Sequence, residues 1–279
     1  MYDFLFNYLS FLLKVLTVVI AIGFVVFLIV KAKMSKRDPI ILERLNETYN
    51  DVKMQMLNTF AETGALHAKN ALKAEKKALK LCQNADKKSM EAKPRLFVLN
   101  FKGNLSADAV KSFREEVTAL LMVAQLDDEV MVKLDSPGGS VIDYGLAAAQ
   151  MVRIRDAGLR LVVCVDRVAA SGGYMMACVA EKIYAAPFAF IGSIGVVSQM
   201  PNFNGFLKKY DIDVVELTSG ERKRPLSALG EVTDQGKQHV RGQLAAIHSQ
   251  FKDMVSRYRP DIDIDTVGNG DYWTAAKAE

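Results

Sequence analysis

Apolar positions in this chain follow three different patterns. The first is unbroken. VLTVVIAIGFVVFLIV, residues 15–30, carries no charge. Those 16 residues reach about 24 Å as a helix, short of a ~30 Å hydrocarbon core. A membrane span here therefore extends back through YLSFLLK, with Lys14 reaching to the nearer interface. The run is long for a cleaved signal peptide, and KAKMSKR is a poor small-residue cleavage site, so an uncleaved anchor over residues 1–33 is expected. Lys31, Lys33, Lys36 and Arg37 follow the span and Asp3 precedes it, which by the positive-inside rule puts the main body in the cytoplasm.

The second pattern, over residues 34–93, is helical and polar. ILERLNETYNDVKMQMLNTF sets Ile41, Leu45, Tyr49 and Val52 near helical spacing. ALHAKNALKAEKKALKLCQNADKKSMEAKP interleaves Leu66, Leu72, Leu79 and Leu81 with Ala and Lys. Such a segment is a helical stalk with a solvated charged face, in preference to a surface for anionic lipid or nucleic acid. Pro94 ends it.

The third pattern, over residues 94–279, alternates short β-rich runs with helical ones. RLFVLNF, EVMVKLD, LRLVVCVD, KIYAAP and IDVVEL read as strands. SADAVKSFREEVTALLMVA, with Ser106 as a candidate cap, IDYGLAAAQMVRIRDAG, GYMMACVA and the long run 233–259 read as helices. Alternation of this kind predicts βαβ units and a largely parallel sheet.

Composition narrows the function. A net charge of +4 over 279 residues, with no basic stripe interleaved with aromatics outside the stalk, argues against a nucleic-acid partner. Cys82, Cys164 and Cys178 show no paired spacing, and His67, His239 and His248 follow no metal-ligand pattern, so neither a disulfide framework nor a zinc site is expected. Cys164 and Cys178 sit in apolar runs and read as core residues.

Four stretches could carry chemistry. DSPGGSV, 135–141, follows a strand; Gly138 and Gly139 either make an ordinary turn or aim a backbone N–H at a developing oxyanion. AASGGY sets Ser171 between a strand and a helix, where it either caps the helix or attacks a substrate, with the Gly172 N–H completing an oxyanion hole. A serine nucleophile needs a base. No histidine stands in a triad-like context, which leaves a neutral lysine, and LTSGERKRPLSALGE offers Lys223 in what is otherwise a solvated basic loop. FIGSIGV holds Ser193 between glycines, either a turn residue or a hydrogen-bonding partner for a lysine amine.

DSPGGSV, AASGGYMMACVA, IGSIGVV and SGERKR, in this order, resemble the signal peptide peptidase family of membrane-anchored serine proteases. The likeness runs from the anchor through PRLFVLNFKG and MPNFNGFLKKYDID to DYWTAAKAE. It implies a ClpP/crotonase-like spiral of βαβ units and a Ser–Lys dyad. Ser171 matches the nucleophile, Lys223 the general base, Ser193 the residue orienting the lysine, and Gly139 and Gly172 the oxyanion donors. It implies peptide substrates such as signal peptide remnants, a homo-oligomer, a bacterial inner-membrane location and no cofactor. It favours the periplasmic side, against the basic flank of the anchor. It also implies a chain that continues past DYWTAAKAE into a further strand and helix. Two other functions share parts of the pattern. A crotonase-type acyl-thioester enzyme would use the same oxyanion geometry without Ser171 or Lys223, and a non-catalytic membrane scaffold would use only the stalk and the oligomeric domain.

Overall fold

The computed structural model describes residues 2–34, 40–62, 69–78, 93–220 and 223–278. Parts of the expected stalk, with Lys36, Arg37, His67 and Cys82, lie outside the described residues. The chain divides into two compact units, 1–81 and 82–279.

The first unit is helical. α1 spans Tyr2–Met34, α2 Leu45–Glu62 and α3 residues 69–78. The ammonium of Lys53 on α2 lies 2.8 Å from the carboxylate of Glu75 on α3. Along α1 the side chains of residues 11–25 are exposed. Among the described residues no helix is long and apolar enough to cross a membrane. The uncharged run 15–30 ends in Val26–Val30, whose side chains lie outside the described set.

The second unit is α/β. Its elements are β1 (Leu96–Lys102), α4 (Val110–Leu121), β2 (Glu129–Asp135), α5 (Val141–Asp156), β3 (Arg160–Val165), β4 (Val168–Ala170), α6 (Gly172–Ala177), β5 (Lys182–Ala185), β6 (Phe190–Gly192), α7 (Asn204–Lys209), α8 (Asp234–Tyr258), α9 (Ile264–Val267) and β7 (Tyr272–Thr274). One sheet runs β1-β2-β3-β5 and is parallel throughout. A smaller sheet runs β4-β6-β7, parallel between β4 and β6 and antiparallel between β6 and β7.

The apolar spacing explains the core. On α4, Val110, Phe113, Val117 and Leu120 recur at helical intervals and are buried. On α5, Tyr144, Ala147, Ala148, Met151 and Ile154 do the same. Between these helices and the sheet, Phe101 meets Phe113 edge-on at 5.3 Å and Tyr144 at 6.3 Å between ring centroids. β3 is buried at Leu161, Val162, Val163 and Val165, as a central parallel strand must be.

Two expectations fail. Ser106 does not cap α4: the N-cap is Ala109, with no side-chain capping bond. The turn before α4 is held instead by Asn104, whose Oδ1 accepts from the Asp108 N–H. IDVVEL forms no strand. It pairs with neither sheet, and Val215 and Leu217 stand exposed.

The edge of the sheet where the parallel strands begin is pinned by Asp128, which is 2 % exposed. Its carboxylate accepts from the Arg95 backbone N–H at 2.7 Å, from Arg95 Nη2 at 2.6 Å and from the Gln125 N–H at 2.8 Å. The hydrogen bonds from Arg95, with its charge and the Gln125 N–H, overcome desolvation and hold this carboxyl at about 2. A depressed folded value stabilises the fold above the unfolded value of about 3.9 and loses that contribution as pH falls toward the folded value. Asp128→Asn should therefore cost about 1–3 kcal/mol near neutrality. In urea unfolding its deficit should narrow between about pH 4 and about pH 2; a deficit that does not change over that window would mean the charge is not the source.

Candidate active site

The parallel strands end toward one corner, and there the motifs meet. β2 runs into Ser136, which bridges onto β4: the Ser136 N–H donates to the Val168 carbonyl at 2.8 Å, and the Ala170 N–H donates to the Ser136 carbonyl at 3.0 Å. The Pro137–Gly138–Gly139 turn thus starts beside the strand that delivers Ser171.

Ser171 stands between β4 and α6 with φ 52° and ψ −121°. This is a region glycine enters freely and other residues enter at a cost of about 1–3 kcal/mol. As the N-cap of α6 it makes no side-chain capping bond, so its hydroxyl is not committed to that role. Its backbone is fully tied. Its N–H donates to the Gly192 carbonyl at 2.8 Å, and its carbonyl accepts from Met175 at 2.9 Å.

The same pairing brings in Ser193. Ala170 lies opposite Gly192 in the last pair of the β4–β6 register, and Ser171 and Ser193 each follow one member of that pair in the chain. Ser193 also has positive φ, 54°. Its N–H donates to the Asp271 carbonyl at 2.6 Å, in the turn leading into β7. Gly192, before it, packs on the Trp273 ring, where an added Cβ would come to 2.9 Å.

The glycine turn abuts the serine. A Cβ on Gly138 would lie 2.6 Å from the Gly172 nitrogen and 2.8 Å from the Ser171 Cβ. Between Ser136 and Ser140, the Gly138 N–H donates to Ser136 Oγ at 3.2 Å and the Ser140 N–H to the Leu105 carbonyl at 2.9 Å. Pro137 has no N–H. The Gly139 N–H has no acceptor among the described residues. Gly172 is the first residue of α6, so its N–H is one of those a helix leaves without an internal partner.

Lys223 lies in the loop before α8. Its side chain is exposed, and among the described residues no hydrogen bond joins it to Ser171 or Ser193. Residues 221 and 222 just before it lie outside the described set. Arg224 faces Glu216, with Nε 3.5 Å from its carboxylate, and its side chain is largely exposed.

Other nucleophiles are poorly placed. Burial pushes the Cys178 thiol up to about 12 and also raises Cys164, and it is the thiolate that reacts. Among the described residues no group of His, Cys, Asp and Glu is arranged to hold a metal.

The corner also holds residues that the sequence reading passed over. Tyr144 is fully buried; its hydroxyl lies 2.6 Å from Ser136 Oγ and donates to the Asn104 carbonyl at 2.8 Å. His248, on α8, donates from Nε2 to the Ile194 carbonyl at 3.0 Å, one residue past Ser193. At the far end of α6, Arg155 donates to the Val179 carbonyl at 2.9 Å and Arg259 to the Ala180 carbonyl at 2.7 Å. A Tyr four residues into a helix shows only as an apolar core position, and its hydroxyl bonds a carbonyl 40 residues away in sequence.

A strained serine beside a diglycine turn, at the carboxyl ends of a parallel sheet, is a geometry suited to acyl chemistry. Comparison with known proteins narrows the class. The model of peptidase family S49 N-terminal matches residues 3–151, and that of peptidase family S49 matches residues 153–279. The chain belongs to peptidase family S49. A protein described as "probable protease SohB" from Haemophilus influenzae is 44% identical over 99% of this chain and 81% of its own. Another so described, from Buchnera aphidicola subsp. Schizaphis graminum, is 42% identical over 96% of this chain and 79% of its own. A solved ClpP1 variant from Listeria monocytogenes superposes with a TM-score of 0.42 at 11% identity, over 66% of this chain and 85% of that one.

The strain at Ser171 has a measurable consequence. Ser171→Gly should be more stable than Ser171→Ala by about 1 kcal/mol in urea unfolding, because only glycine enters this backbone region freely. Equal stabilities would mean that the corner relaxes when the serine is removed.

Proposed function

We propose that this chain is a membrane-anchored serine endopeptidase of family S49, with Ser171 as nucleophile and Lys223 as general base. The observation that carries the reading is Ser171 itself: a non-glycine residue at φ 52°, uncommitted as a cap, against a turn whose Gly139 N–H has no acceptor among the described residues. The hydroxyl proton passes to the neutral Lys223 amine as Oγ bonds to the peptide carbonyl carbon. The resulting oxyanion takes hydrogen bonds from the Gly139 and Gly172 N–H groups, where one such donor is worth about 3–4 kcal/mol. Collapse breaks the C–N bond, and the lysine ammonium returns the proton to the leaving amine. Water, deprotonated by the same amine, then releases the acyl group and restores the serine.

Ser193 orients the lysine in this scheme. Its support is that Ser171 and Ser193 directly follow Ala170 and Gly192, the last pair in the β4–β6 register. The base role requires the Lys223 amine to reach Ser171 Oγ when a peptide is bound. Apolar peptides, signal peptide remnants among them, are the substrates we infer from the family resemblance. The domain is a ClpP/crotonase-like spiral that works as a homo-oligomer, with no cofactor and no nucleic-acid partner. Residues 1–33 anchor it in a bacterial plasma membrane, 34–93 form the stalk, and the catalytic domain lies on the periplasmic side.

Fluorophosphonate labelling with peptide mapping tests the dyad. The parent should label at Ser171, and Ser171→Ala and Lys223→Ala should each lose labelling and peptide hydrolysis by at least about 100-fold. Near-parental turnover in Lys223→Ala would remove the lysine from the mechanism. Deleting residues 1–33 should release the protein from membranes, and a truncated protein that still sediments with lipid would place the attachment elsewhere.

A further inference from the structure

Tyr144 touches both halves of the oxyanion corner. Its ring lies under Gly172, where an added Cβ would come to 2.4 Å from ring carbon Cγ. Its hydroxyl reaches the other half through Ser136. The direction of each hydrogen bond there is set by elimination. The Tyr144 hydroxyl has one hydrogen, and it goes to the Asn104 carbonyl at 2.8 Å, which can only accept. The 2.6 Å contact between Ser136 Oγ and the Tyr144 hydroxyl is therefore a donation from serine to tyrosine. Ser136 Oγ in turn accepts from the Gly138 N–H at 3.2 Å. The result is a one-way chain, from the Gly138 N–H through Ser136 and Tyr144 to the Asn104 carbonyl.

The chain is closely confined. Ser136 is 0 % exposed and Tyr144 is 0 % exposed. A Cβ on Gly103 would meet the Tyr144 oxygen at 2.3 Å and Ser136 Oγ at 2.4 Å, and one on Gly173 would meet the Ser136 carbonyl at 2.4 Å. Buried hydroxyls with all their partners in place act as rigid links, and loss of one leaves the others unsatisfied. Because the Gly138 N–H is drawn down to Ser136, it is the following N–H, that of Gly139, which remains unspent.

We propose that Tyr144 is a positioning residue of the peptidase site: its hydroxyl, through Ser136, fixes the diglycine turn so that the Gly139 N–H faces the oxyanion, while its ring seats Gly172. The role rests on the serine-peptidase reading above. Tyr144 touches no reacting atom. It acts on the reaction by aligning donors, so its removal lowers the rate of forming the tetrahedral adduct without weakening peptide binding to the same degree.

The test uses the full chain in detergent as parent, Tyr144→Phe, Ser136→Ala and the double variant, with Ser171→Ala as blank. Tyr144→Phe keeps the ring under Gly172 and removes only the hydroxyl. Two rates are measured, both per labelled active site: fluorophosphonate labelling at Ser171, and hydrolysis of a quenched apolar peptide. Tyr144→Phe should lower the labelling rate and kcat together by about tenfold, less than the loss of a whole oxyanion donor. KM should stay within about twofold, and the pH profile should keep its shape because the base is untouched. Ser136→Ala should do the same, and the double variant should be no worse than the more damaging single, since both cut one chain. A parental rate in either folded variant overturns the proposal. So does a multiplied loss in the double variant, or a change carried mainly by KM. If Tyr144→Phe does not fold, Ser136→Ala decides alone. A parent that labels at Ser171 with an unaffected Tyr144→Phe sinks only the positioning role, whereas a parent that does not label at Ser171 sinks the serine reading and this role with it.

Discussion

Two backbone hydrogen bonds join the sheets. The Ser136 N–H reaches the Val168 carbonyl, and the Ala170 N–H reaches the Ser136 carbonyl. Through them the end of β2 runs onto β4, and every other feature of the candidate site depends on that junction. The diglycine turn starts from it on one side. Ser171 leaves β4 directly above it on the other. α6 begins against the Ser136 carbonyl so closely that Gly173 has no room for a Cβ. Were the junction to open, the turn and Ser171 would belong to separate loops, and their geometry would be left to side chains alone.

Close backbone approach has a cost that shows in residue choice. Gly138 at φ 87° cannot carry a Cβ without meeting Gly172 and Ser171. At Gly172 the obstacle is the Tyr144 ring. Ser171 and Ser193 carry side chains at positive φ, 52° and 54°, and there the strain stays. The surroundings of Ser171 hold it in place. Its N–H and carbonyl are both engaged, β6 runs alongside, and Arg155 and Arg259 fix the far end of the α6 segment through the carbonyls of Val179 and Ala180. A residue over-determined on all sides can keep an unfavourable backbone conformation for the sake of where it points.

Much of this could be read from the chain. EVMVKLD and LRLVVCVD read as strands and form β2 and β3 of the large sheet, and the run SADAVKSFREEVTALLMVA, read as a helix, holds α4. Ser171 stood out between a strand and a helix, Ser193 between glycines and Gly138–Gly139 in a turn after a strand, each with a structural reading beside the catalytic one, and only the family resemblance assigned their roles. What escaped has physical reasons. β6 and β7 are three residues each, too short for any period to show. IDVVEL has strand composition, but a strand exists only by pairing, and this run meets no partner edge. Lys223 sits in a loop whose position no local pattern dictates. Tyr144 was indistinguishable from core because its ring is core, although that same ring packs under Gly172 and its oxygen reaches Ser136.

The most direct test is a crystal structure of the full chain after reaction with a fluorophosphonate. The account predicts phosphorus bonded to Ser171 Oγ, with one phosphonyl oxygen at about 2.7–3.1 Å from both the Gly139 and Gly172 nitrogens. An adduct on another residue, or one on Ser171 whose oxygens reach neither glycine, would contradict it.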